Sequence, residues 1–349
     1  MRYKASLQRA DRNSCDSGNP SFVHLAADIG GTKTNLALFV EEDERFELIA
    51  EERLATRAVA GPEQLLADFL RRHGRQPVSA GIGVAGTVAA GEAHAVNLPW
   101  TIRQTELRRQ LGIPHLHLLN DLAAMAYSVP FLREDQKARL LPGEEDAQAP
   151  IGLIAAGTGL GQALLVREDG HLRVLASEGG HRDFAPTTPQ QWRLAEHLRH
   201  RYGHVSTERV LSGQGLLDLH HFLLAEEGIV PPDWLVQAAA AGNAAPVTDH
   251  ALAGTDAACL RSALLFTAVY GAEAGNLALQ YLAAGGIYLG GGIAPKLLPL
   301  LRQSAFAAAF RDKGRLRPLL ARVPVWCITD TRAPLIGAAR YAAVRARSS

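Results

Sequence analysis

The chain has 349 residues, with 36 Lys and Arg against 35 Asp and Glu and a formal net charge of +1. That length accommodates two domains with a core each, and so balanced a charge gives no large electrostatic attraction for nucleic acid or an anionic membrane. Cys15, Cys259 and Cys327 are too few and too scattered for a disulfide framework or a zinc cluster, and no uninterrupted apolar run reaches the length of a membrane span. The expected partners are therefore small molecules, with no nucleic acid and no membrane. Residues 1–20 are polar, turn-rich and without the apolar core of a secretory signal; they are expected to form a disordered extension, and the expected compartment is the cytoplasm.

In chain order, strands are expected at 22–28, 34–40, 46–51 and 78–84, with an amphipathic helix from Pro62 to His73 between the last two. Between the first two strands lies Ala27-Asp28-Ile29-Gly30-Gly31-Thr32-Lys33-Thr34-Asn35. Because an apolar strand follows, the glycines turn a β-hairpin and do not open a helix, which separates the segment from a Walker loop or a dinucleotide fingerprint. Glycines let backbone N–H groups approach an anion, Thr32 adds a hydroxyl, and Asp28 can hold Mg²⁺ or its water. An ordinary Gly-Gly turn is the alternative reading of this stretch taken alone. A strand at His115–Leu119 then runs into a helix over Asn120–Ser128, with Asn120 or Asp121 near its cap. The polar stretch Pro130–Ala149 reads as a surface connection.

A second sheet begins with strands at 151–155, 161–166 and 172–176. The first two flank Gly157-Thr158-Gly159, another strand–Gly-Thr–strand hairpin. Helices are expected at Pro189–Arg201, Val205–Leu211, Gln214–Ala225 and Asp256–Ala283. The last is mostly apolar and suits a core or a dimer interface. A strand over 286–289 meets Gly290-Gly291-Gly292, followed by a helix opened by Pro295. A strand at Pro324–Ile328 and a helix at Ala333–Val344 complete the chain. Two Gly-Thr hairpins in separate halves suggest two related lobes, each offering a phosphate-binding turn to one nucleotide between them, while a triple glycine lets backbone lie flat against adenine or ribose.

These three clusters, in this order, resemble the phosphate-1, phosphate-2 and adenosine motifs of the sugar-kinase, actin and Hsp70 superfamily. Within it, the chain is similar to the bacterial glucokinases of the non-ROK type found in proteobacteria. Besides the nucleotide motifs, that likeness rests on Leu118-Leu119-Asn120-Asp121, on Glu178-Gly179-Gly180-His181-Arg182-Asp183-Phe184-Ala185-Pro186 and on 203–213, Gly-His-Val-Ser-Thr-Glu-Arg-Val-Leu-Ser-Gly. It runs from about Val23 to about Ala343. ROK sugar kinases usually carry a cysteine-rich zinc motif shortly after their Glu-Gly-Gly-His, where this chain has 182–186, Arg-Asp-Phe-Ala-Pro. The N-terminal extension and Lys33 after Thr32 are the departures.

The resemblance implies an α/β, two-domain, ribonuclease-H-like (actin-like ATPase) fold with mixed sheets and an interdomain cleft. The expected division is a small domain of residues 21–121 plus 332–349 and a large one of 122–331, the last helix packing back on the first domain. It implies ATP-dependent phosphorylation of D-glucose, Mg²⁺ on the nucleotide and a homodimer. Asp121, at the C-terminal end of a strand, is the expected general base, taking the proton of the attacking hydroxyl; a helix-capping role for Asn120 or Asp121 is compatible with this. Asn120, Asp121, Glu178, His181 and Glu208 are the implied glucose contacts, with Asn97, in a plain Asn-Leu-Pro turn, a weaker addition. A kinase for another hexose is the nearest alternative. A sugar-responsive regulator on the same fold would need a DNA-binding helix-turn-helix, for which the first twenty residues are too short and polar.

Overall fold

The computed structural model describes residues 22–43, 45–59, 61–95, 98 and 100–347. The expected extension 1–20 and Asn97 lie outside the described residues.

The first lobe opens with β1 (Phe22–Ile29), β2 (Lys33–Glu42) and β3 (Arg45–Ala55), followed by α1 (Pro62–His73) and β4 (Ser79–Val84). A small three-stranded sheet comes next: β5 (Gly86–Ala89), β6 (Glu92–Ala95) and β7 (Thr101–Arg103). Then follow α2 (Gln104–Leu111), β8 (His115–Asn120) and α3 (Asp121–Ser128). Helix α1 starts on Pro62 and stops at Gly74, whose φ of +58° suits the left-handed cap. It buries Leu65, Leu66, Phe69 and Leu70 on one face. The main sheet has the order β3-β2-β1-β4-β8, antiparallel across β3-β2-β1 and parallel from β1 through β4 to β8.

The second lobe contains β9 (Lys137–Leu141), β10 (Ile151–Ala156), β11 (Leu160–Glu168) and β12 (His171–Ser177). Its helices α4 (Pro189–Tyr202), α5 (Gly213–Glu226), α6 (Asp233–Ala240), α7 (Ala245–Ala253) and α8 (Ala257–Tyr281) come next. After them stand β13 (Ile287–Gly290), α9 (Leu298–Leu301), α10 (Ser304–Arg311), α11 (Arg317–Leu320), β14 (Val325–Ile328) and α12 (Ala333–Arg347). The sheet order is β12-β11-β10-β13-β14-β9. Its first five strands repeat the first lobe's order and directions, and each lobe's last parallel strand, β8 or β14, leads into a helix, α3 or α12. The fold is α/β with two mixed sheets, as expected.

Those two helices pack against each other between the lobes. A Cβ on Gly337 of α12 would collide with the carbonyl of Ala124 on α3, and one on Gly81 of β4 with the carbonyl of Ala338. Small residues on α12 thus let it lie directly on the first sheet. Helix α3 faces both ways: Ala124 joins Ala26, Leu119 and Leu335 in one apolar cluster, and Ala126 joins Leu153, Ala163 and Trp326 in another. Among the described residues no single helix is long and apolar enough to cross a membrane, and α8 is largely buried in the second lobe's core.

Three expectations need correction. The stretch 130–149 includes β9, an edge strand antiparallel to β14. Its polar look comes from Lys137 and Arg139, which lie over the Trp326 ring at 4.5 and 4.4 Å. Residues 205–211 form only a 3-10 turn at Thr207–Arg209, because the Val205 carbonyl accepts from Phe184 N and Thr207 N donates to the Arg182 carbonyl, drawing this backbone into pairing with 182–184. No helix opens at Pro295. Residues 291–297 make successive turns anchored by Ile293 N donating to the Ala156 carbonyl, and α9 begins at Leu298.

Candidate active site

On the first lobe, β1, β4 and β8 run parallel and end together, so the residues after them share one rim. Asp28 is in register with Gly83 and Gly83 with Leu119, which sets Asp28 and Asp121 on either side of a glycine. A Cβ at Gly83 would stand 3.3 Å from the Ala27 carbonyl and 3.8 Å from Asp121 Cα, narrowing the space between the carboxylates. Burial pushes the Asp28 carboxyl up to about 6, opposed by a hydrogen bond from Asn35 Nδ2 at 3.2 Å and reinforced by the charge of Asp121. Burial also raises Asp121, against the bond it accepts from Leu122 N at 2.8 Å. The capping question is decided for Asn120: its Oδ1 accepts from Leu122 N at 3.0 Å and Ala123 N at 3.3 Å, and its Nδ2 donates to the Gly86 carbonyl at 2.9 Å. Asp121 then occupies the first helical position of α3, held rigid by a neighbour that caps in its stead.

The first glycine turn is braced from behind. Gly30 N donates to the Lys33 carbonyl at 3.0 Å, Thr56 Oγ1 to the Gly30 carbonyl at 2.8 Å, and Thr56 N to the Thr32 carbonyl at 3.0 Å. Thr32 is exposed at its tip. In the second turn Gly157 N donates to the Gly159 carbonyl at 2.8 Å and Gly213 N, opening α5, to the Gly157 carbonyl at 2.9 Å, leaving Thr158 exposed. Gly291, with a φ of +79°, sits where a side chain would run into the carbonyl of Ala156, so the third cluster lies against the end of β10 beside the second. Gly292 borders open space.

Glu208 belongs to this second turn. Its Oε2 accepts from Leu160 N at 2.9 Å, and a Cβ on Gly159 would come within 2.5 Å of the same oxygen. Its Oε1 stands 4.0 Å from His181 Nδ1, while His181 Nε2 is 3.8 Å from Glu178 Oε2. These separations exceed hydrogen-bond length, so the three polar groups face a common space without saturating one another. His181 and Glu178 are mostly exposed. Sequence reasoning brought the three together; it missed Gln162 and Glu273, buried polar residues that brace the same loop through Arg182. The visible signal was a carboxylate inside the apolar α8.

The first turn of α3 joins these parts. Asp121 borders Gly83 on the first lobe, and Leu122 and Met125 fill the places where side chains on Gly161 and Gly290 would stand, at 2.8 and 2.5 Å. The lobes do not close completely. An interlobe cavity of about 600 Å³ runs from Asn120 and Ala123 to Val174 and Ala176. Of the site residues only Asn120 lines it, and cavities at Asp330–Arg332 and at Phe46–Arg340 contain none of them.

Comparison with known proteins decides the family. The glucokinase family model matches residues 25–345. The chain belongs to the glucokinase family. Among its relatives, the glucokinase of Nostoc punctiforme is 38% identical over 335 residues, covering 91% of this chain and 98% of that one. The glucokinase of Photorhabdus laumondii is 36% identical over 317 residues, with 91% and 96% covered. The crystal structure of a glucokinase from an Antarctic psychrotroph superimposes with a TM-score of 0.83 at 33% identity, covering 92% of this chain and 99% of that one. The glucokinase fold extends further still: a ROK family glucokinase from Streptomyces griseus, solved with glucose and AMPPNP, gives a TM-score of 0.62 at 21% identity.

Proposed function

We propose that this member of the glucokinase family transfers the γ-phosphoryl group of ATP to the 6-hydroxyl of D-glucose. The observation that carries the reading is Asp121: a carboxyl of raised affinity for protons, fixed on the first turn of α3 beside Gly83 and near Asp28, on a helix whose Leu122 and Met125 meet Gly161 and Gly290 of the other lobe. Asp121 takes the proton of the 6-hydroxyl as its oxygen attacks the γ-phosphorus, and ADP leaves with the bond electrons. Glu178, His181 and Glu208 hold the ring hydroxyls, each carboxylate oxygen accepting from a separate one. Asn120 spends its Oδ1 on the helix cap, so its sugar contact would be made by Nδ2, beyond the bond to Gly86. The Gly30–Thr32 and Gly157–Gly159 turns hold the phosphates, and Gly290–Gly292 the nucleoside.

The first-lobe rim suits Mg²⁺. Among the described residues no cluster of three or more metal-ligating side chains exists, but Mg²⁺ on a nucleotide needs only one or two carboxylates besides phosphate oxygens and water. Among the described residues Asp28, a buried carboxyl, has Asn35 as its one side-chain hydrogen-bond partner and Asp121 as a repelling neighbour, which a dication there would offset. Such an ion supplies positive charge to the phosphate oxygens.

A homodimer is part of this proposal; Trp192, Val230 and Val236 on the second lobe are 63%, 85% and 55% exposed. Sedimentation velocity showing only monomer at micromolar concentration would remove it. The activity itself is tested by ADP release across a hexose panel. Glucose should give the highest kcat/KM; turnover of another hexose but not glucose would replace the substrate and keep the fold, and no turnover with any sugar would favour a regulator.

A further inference from the structure

Glu273 lies in the C-terminal half of α8, a helix otherwise packed into the second lobe's core, and it is 6% exposed. A carboxylate withdrawn from water persists only where it is paired and hydrogen-bonded. Here Oε1 accepts from Gln162 Nε2 at 2.7 Å and from Arg182 Nη2, and Oε2 accepts from Asn276 Nδ2 at 3.0 Å. Gln162, itself 2% exposed, stands on β11 three residues past Gly159, and Arg182 directly follows His181. The carboxylate thus ties the strand leaving the second phosphate turn to the loop carrying Glu178 and His181.

The loop is pressed onto that strand at several points. Arg182 Nε donates to the Gly179 carbonyl at 3.2 Å, and Nη1 to Gln280 Oε1 at 3.1 Å. Ser177 Oγ donates to the Gln162 carbonyl at 3.1 Å and accepts from Gly179 N at 3.2 Å. Gly179 and Gly180 are required by this closeness and not by backbone angle: neither has positive φ, yet a Cβ on the first would strike Gln162 Oε1 and on the second the Leu160 carbonyl. Glu178 and His181 are exposed, so their own side-chain contacts do little to fix them; what fixes them is the backbone between them.

We propose that Glu273 is a positioning residue for sugar binding. Through Arg182 and Gln162 it holds the Glu178–His181 loop flat on β11, so that loop and phosphate turn move as one body. The inference rests on the assignment of Glu178 and His181 to glucose. Pre-ordering of this kind lowers the cost of binding the ligand that the loop touches, and leaves the other substrate's binding nearly unchanged.

Steady-state kinetics of the full chain test it. Glu273→Gln keeps shape and removes the charge; the KM for glucose should rise roughly tenfold while the KM for ATP stays within about twofold. Arg182→Met, on the more exposed partner, should reproduce that pattern even where the buried change impairs folding. The double variant should be no worse than the poorer single one, because both break the same link. Asp218→Asn is the comparison: it alters another buried carboxylate of this lobe, bonded to Arg201 and Tyr202, and should leave the glucose KM within about twofold. A parallel rise in both KM values, additive effects, or an equal glucose defect in Asp218→Asn would overturn the proposal. Glu178→Gln separates the two levels. If it leaves the glucose KM unchanged, the sugar assignment itself fails; if it raises that KM while Glu273→Gln and Arg182→Met do not, only the positioning role is lost.

Discussion

Asn120 and Asp121 show how neighbouring residues divide two tasks. Either could have capped α3 from sequence, and the structure gives the cap to Asn120 through two backbone N–H groups. That leaves Asp121 to serve as the proposed proton acceptor. Asp121→Asn keeps size and polarity but cannot accept a proton, so kcat should fall roughly 10²–10⁴-fold, with glucose binding by calorimetry retained. Near-normal turnover would reduce Asp121 to a structural residue. Asp28→Ala should raise the KM for Mg·ATP and leave glucose affinity largely intact. Equal loss of both, with a lowered Tm, would mean that Asp28 serves the sheet and not the nucleotide. Glycine types were legible as turns at Gly30 and Gly157, but the reason for Gly83, Gly179 and Gly180 was not. Their constraint is a neighbour far along the chain or across a strand, which no local pattern records.

Among elements, α12 is clasped to the first sheet at both ends of its packing face. Towards its start Ala338 meets Gly81 of β4; at its end Arg347 bonds Glu41 of β2, which also accepts from His24 Nε2 at 3.2 Å, while His24 Nδ1 pairs with Ser79 Oγ at 2.8 Å. Burial acts to raise the Glu41 carboxyl, but the bonds from His24 and Arg347 outweigh it and hold it at about 2, below its ordinary 4.5. A depressed carboxyl contributes stability that is complete above the unfolded value and is lost as pH falls through the folded one. The chain should therefore lose Tm between about pH 4.5 and pH 2 more steeply than Glu41→Gln does, read by circular dichroism. Parallel Tm profiles would show that the clasp carries no charge-dependent stability. The strand β9 escaped sequence reading because its cations face a tryptophan on β14, a partner nearly two hundred residues away.

At the scale of the molecule, the chain passes between the lobes at α3 and again after β14. The second passage is fastened by Asp330, which accepts from Gln136 Nε2 at 2.7 Å and from Arg332 Nε at 2.9 Å. We propose that the two passages act as a hinge; the interlobe cavity between Asn120 and Ala176 lies beside it and is lined by none of Asp121, Glu178, His181 and Glu208. If glucose is held as proposed, by Asp121 on one side and Glu178, His181 and Glu208 on the other, it should favour the closed form. Closure also excludes water as a competing phosphoryl acceptor. Saturating glucose should lower the radius of gyration by small-angle scattering. An unchanged profile, with binding confirmed by calorimetry, would sink the idea.

The amino-acid sequence by itself determined the strand–turn–strand units, the helix α1 from Pro62 to His73, and the grouping of Glu178, His181 and Glu208. All of these depend on short-range chemistry: side-chain periodicity, glycine freedom and carboxylates beside turns. Tertiary structure alone decided that Asn120 Nδ2 is bound to the Gly86 carbonyl, why Gly179 and Gly180 admit no side chain, and which groups the lone carboxylate of α8 meets. Those answers come from groups that meet only after the two sheets have formed and stacked, at separations such as the 111 residues between Gln162 and Glu273. Burial there turns a charge that would be unremarkable in water into one that must be paired, and the pairing fixes the geometry of the loop above it.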